Sequence, residues 1–64
     1  MNELTIRQRI KLNALVVQYA EVSEPASTVN LFNKVYGRTG SADTAFDAVR
    51  QSGHRLWQSR LHQQ

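Results

Sequence analysis

The chain has 64 residues, no cysteine, and eight Lys or Arg against five Asp or Glu, for a net charge of +3. This composition excludes disulfide scaffolds, thiolate metal sites and dense polybasic tails, and it leaves room for one domain, 1–64. So small a domain buries only about 60% of the surface its unfolded chain exposes, which makes a second subunit the natural further source of stability.

The N-terminal stretch does not read as a targeting signal. Asn13 and Gln18 interrupt the apolar run that follows Arg7 and Arg9, and no small-residue cleavage site comes after it. No segment approaches the ~20 apolar residues of a membrane span. Together with the missing thiols, this favours a cytoplasmic protein with no membrane partner.

Two punctuation marks, Ser23-Glu24-Pro25 and Gly37-Arg38-Thr39-Gly40-Ser41, divide the chain into three segments of helical periodicity. The first opens with Thr5 and Gln8, spaced as a capping box, with Asn2 as a competing cap. It is apolar on two sides. Ile6, Ile10, Ala14 and Val17 recur on one face, and Leu4, Leu12, Leu15, Tyr19 and Val22 on nearly the opposite one, with Arg7, Lys11 and Gln18 between. A helix apolar nearly all round is a buried helix. A chain this short can hardly cover both sides, whereas a second copy can.

The second segment has Ser23 or Glu24 as its cap and Pro25 in its first turn, where the missing N–H costs nothing. Val29, Phe32, Val35 and Tyr36 form its stripe, and Gly37 is placed to end it in the left-handed conformation. The third begins at Ser41, with Asp43 suited to the positive helix start. Ala42, Ala45, Phe46, Val49, Gly53, Leu56, Trp57 and Arg60 recur along it at helical spacing. Gly53 has two readings. One is close approach of another helix, aided by Ala45, Ala48 and Ser52; the other is a kink or an early helix end.

Residues able to carry chemistry are few. His54 and His62 lie eight positions apart, roughly 12 Å along a helix, and cannot chelate one ion unaided. Asp43 and Asp47 are one turn apart, but helix-start and Arg50-pairing roles account for them. Gly37-Arg38-Thr39-Gly40 lacks the lysine and the length of a phosphate loop. No enzyme, cofactor, metal or small-molecule substrate is expected.

Segments two and three can also be read as a helix-turn-helix. The first turns of the supposed recognition helix would then set Asp43 and Asp47 against a polyanion, which opposes the usual docking. A sequence-independent phosphate surface built from Arg7, Arg9 and Lys11, or from Arg50, Arg55 and Arg60, stays open. From Thr28 through Asn33-Lys34 to His54-Arg55-Leu56, the spacing resembles the Hha/YmoA group, small helical bacterial modulators that act with a nucleoid protein. The resemblance covers under half of the chain. Gly53 stands where that group has an acidic residue, its C-terminal aromatic segment is missing, and the first segment has no counterpart. The group's function is therefore not carried over.

The expected architecture is all-α, a small bundle of three helices at about 3–22, 25–36 and 42–61, completed by dimerisation. The expected function is association: a small regulator or inhibitor that binds another protein as a homodimer. The expected interface residues are Leu12, Leu15, Val16 and Tyr19, with Trp57 either a contact anchor or the largest core side chain. The alternative is a DNA-binding or nucleoid-associated accessory protein using Arg7, Arg9, Lys11, Arg50, Arg55 and Arg60.

Overall fold

Thr5 starts the first helix as its spacing requires. Its Oγ1 accepts from the Gln8 N–H at 3.1 Å, and the Gln8 Oε1 accepts from the Thr5 N–H at 3.0 Å. The computed structural model describes residues 4–62, so the competing cap Asn2 lies outside it. Three helices follow: α1 (Ile6–Gln18), α2 (Pro25–Thr39) and α3 (Ala42–His62).

α1 stops four residues before Val22, where the apolar pattern ends. Beyond Gln18 the chain tightens: the Ala20 N–H donates to Val17 O and the Val22 N–H to Tyr19 O. Pro25 restricts the residue before it, which is pushed out of the helical region. Glu24 is accordingly extended, at φ −62° and ψ 143°. Tyr19 and Val22 still reach the core from this turn, so burial continues past the last helical residue.

α2 runs past the expected stop at Gly37 and ends at Gly40. Gly40 has φ +68° and donates its N–H to Tyr36 O at 2.8 Å. Both glycines could close a helix, and Thr39 decides between them. Its Oγ1 donates to Val35 O at 2.9 Å and accepts from the Ser41 N–H at 3.1 Å, which fixes the last turn. Ser41 then caps α3, its Oγ accepting from the Thr44 N–H at 3.2 Å.

Two residues therefore separate α2 from α3, and these helices pack as an antiparallel hairpin. Phe32, Ala45, Phe46 and Val49 are the deepest residues, with the Phe32 and Phe46 rings 4.8 Å apart and tilted by 46°. α1 lies across the hairpin and adds Leu12, Leu15 and Tyr19 to the same core. Thr28 is buried, and its hydroxyl meets that of Ser23 at 3.2 Å.

Gly53 belongs to the close-approach reading, and α3 continues through it to His62. What approaches is the Tyr19 ring, not another backbone. A Cβ at Gly53 would lie 2.5 Å from Tyr19 Cδ1 and 2.6 Å from its Cγ and Cε1. The helix-propensity cost of about 1 kcal/mol at this glycine is the condition for seating an aromatic ring on the helix.

Candidate functional site

α1 can bury one of its two apolar faces within a single subunit, and it buries the one carrying Leu12, Leu15 and Tyr19. Each of these is at most 7% exposed. Val16 and Trp57 are half-buried against the same core. Of the residues expected at a protein interface, Leu12, Leu15 and Tyr19 are thus packed inside their own protomer, and Val16 and Trp57 partly so. The physical reason is the Tyr19–Gly53 fit: only the Leu12 face carries a ring at the position where α3 has no side chain.

The opposite face is left uncovered. Ile6 is 77% exposed, Ile10 63% and Val17 74%, and Ala14 is exposed beside them. Scattered exposed apolar residues are ordinary on protein surfaces; a contiguous stripe of them is not. Steps of four and seven residues align Ile6, Ile10 and Val17 along one side of the helix. Arg7 and Arg9 flank the stripe, and Ile6–Gln18 contains no acidic residue. The stripe itself was visible in the sequence. Which of two apolar faces would stay outside was not.

The six basic residues considered for nucleic acid are all exposed. Arg50 pairs with Asp47 at 3.3 Å, as spacing suggested, and Arg60 pairs with Glu21 at 3.2 Å. The Arg60 guanidinium also lies 5.5 Å from the Trp57 ring centroid, and Lys11 Nζ sits 4.8 Å over Phe46. Arg7, Arg9 and Arg55 form no ion pair among the described residues. Arg60 meets Glu21 just beyond the C-terminal end of α1, whereas Lys11 lies over Phe46, one helical turn from Arg50.

A second feature escaped the sequence reading. Where α1 turns away, the groove between α2 and α3 stays open as a cleft of about 350 Å³. Tyr19, Val49 and Gly53 line it together with Val22, Leu31 and Leu56, and serine and threonine hydroxyls occupy the side toward the start of α2. The only hint was the run of small side chains at Ser23, Ser27, Ser52 and Gly53, which leave volume unfilled.

His54 meets the Gln58 amide at 3.3 Å, and no group of three potential ligands able to hold a metal occurs among the described residues. No described helix is long and apolar enough to cross a membrane. No family model, curated protein or solved structure matches this chain.

Proposed function

We propose that the protein acts by macromolecular association, as a small non-enzymatic cytoplasmic regulator or inhibitor that binds another protein as a homodimer. In this reading the outer face of α1 is the surface through which the chain associates, and target binding depends on that association. One observation carries it: Ile6, Ile10 and Val17 stay mostly exposed on a helix whose other face already completes the core. Leaving three large aliphatic side chains in water forgoes roughly 1.5–3 kcal/mol for each one that a partner could cover.

The test is retention of a protein target from the source cell on immobilised chain, compared with Ile10→Glu. The substitution falls on an exposed position and should abolish retention without unfolding the protomer. An identical retained set for both proteins would overturn the reading.

The alternative, a nucleic-acid accessory, draws support from the unmixed charge of α1, with Arg7, Arg9 and Lys11 and no acid. It requires affinity that falls steeply with salt and weakens on charge reversal at Arg7 and Arg9.

A further inference from the structure

We infer that the outer face of α1 is covered by a second copy of the chain, with the two α1 helices antiparallel about a twofold axis between Ile10 and Asn13. The inference rests on the reading of that face as the contact surface and names its occupant and orientation.

The first ground is spacing. Ile6, Ile10, Asn13 and Val17 follow at steps of four, three and four, the seam by which one helix packs along another. In the antiparallel register Ile6 lies against Val17 of the second copy, and Ile10 against its Asn13. Each half of the seam meets the other, so one helix face is self-complementary, as a twofold contact demands.

Charge fixes the direction. All the charge of α1 lies in its N-terminal half, at Arg7, Arg9 and Lys11, and Leu12–Gln18 carries none. Lys11 is turned onto its own Phe46, which leaves Arg7 and Arg9 at the edges of the stripe. A parallel, in-register pair would bring four arginines to one level. Reversing one helix sets them against the uncharged half. Opposed helix dipoles favour the same sense.

Area fixes the strength. One pair of 13-residue helices lies near or below the small end of specific interfaces, about 1,200 Å² in total, so the dimer should form and dissociate with concentration.

The absence of cysteine makes the test clean. Ile6→Cys and Val17→Cys, both at exposed positions, are prepared separately, mixed and oxidised mildly. Arg38→Cys on the far end of α2 reports random collision, and thermal melts confirm that each variant folds. The expected product is the mixed 6–17 disulfide in clear excess over 6–6 and 17–17. Light scattering should show a mass that rises with concentration and falls back in Ile10→Glu, with association weakened at least about tenfold. Dominant 6–6 and 17–17 products would overturn the antiparallel arrangement and leave the contact surface standing. A wild-type chain that stays monomeric to roughly millimolar concentration, with cross-linking no better than Arg38→Cys, would overturn the second copy as occupant. Self-association that survives Ile10→Glu unchanged would place the seam elsewhere and sink the inference, while the retention comparison decides the reading beneath it.

Discussion

The α2–α3 hairpin and α1 are both amphipathic by sequence, yet they dispose of their apolar residues differently. Phe32 in α2 and Ala45, Phe46 and Val49 in α3 are at most 2% exposed, facing each other across the hairpin, and only toward the end of α3 do Leu56 and Leu61 come into solvent. α1 places Leu12, Leu15 and Tyr19 inside and leaves Ile6, Ile10 and Val17 out. Apolar content alone does not decide burial. A complementary surface within reach decides it, and α1 has one such surface for two faces.

The sharpest way to break the comparison is Phe46→Ala. It removes a ring packed on Phe32 at 4.8 Å and should cost about 3–5 kcal/mol, enough to unfold a domain of this size in a denaturant titration. Next comes a matched glycine pair. Gly37 is helical, and a methyl added there would meet nothing within 4 Å, so Gly37→Ala should stabilise by about 0.5–1 kcal/mol. Gly53→Ala drives a methyl into Tyr19, including Cγ at the root of its ring, and should instead destabilise by about 1–3 kcal/mol. Equal midpoint shifts of the same sign in thermal melts would show that the ring does not depend on that glycine.

Arg60→Ala comes third. It takes away an exposed ion pair to Glu21 and the stacking on Trp57, for a loss of at most about 1 kcal/mol, part of which high salt should remove beforehand. Glu21→Gln separates the two contributions by leaving the stacking in place. The smallest effect on the protomer belongs to Ile10→Glu, within about 0.5 kcal/mol in a melt at low concentration. A large loss there would mean that the outer face supports the fold after all.

Much of the fold was legible because its signals are local. Thr5 with Gln8, Pro25 and Ser41 each start a helix by chemistry confined to a few residues. Helix ends were harder to place. The Tyr19–Val22 turn buries side chains without being helical, so periodicity overran it, and Gly37 looked as suitable a terminator as Gly40 until the Thr39 hydroxyl set the last turn. The candidate surface was legible as a pair of faces and not as a choice. That choice depends on Tyr19 meeting Gly53 across 34 positions of sequence, a contact no local pattern encodes. The cleft escaped for a similar reason, since empty volume has no residue type of its own.

The link at Gly40 and Ser41 also bears on how the chain reaches this arrangement. Closing so short a loop loses little entropy, so the hairpin should be the nucleus of refolding, with α1 docking afterward. Gly40→Val, which forces a β-branched residue to φ +68°, should accordingly retard refolding more than it hastens unfolding. Leu15→Ala, in the late-docking element, should do the reverse.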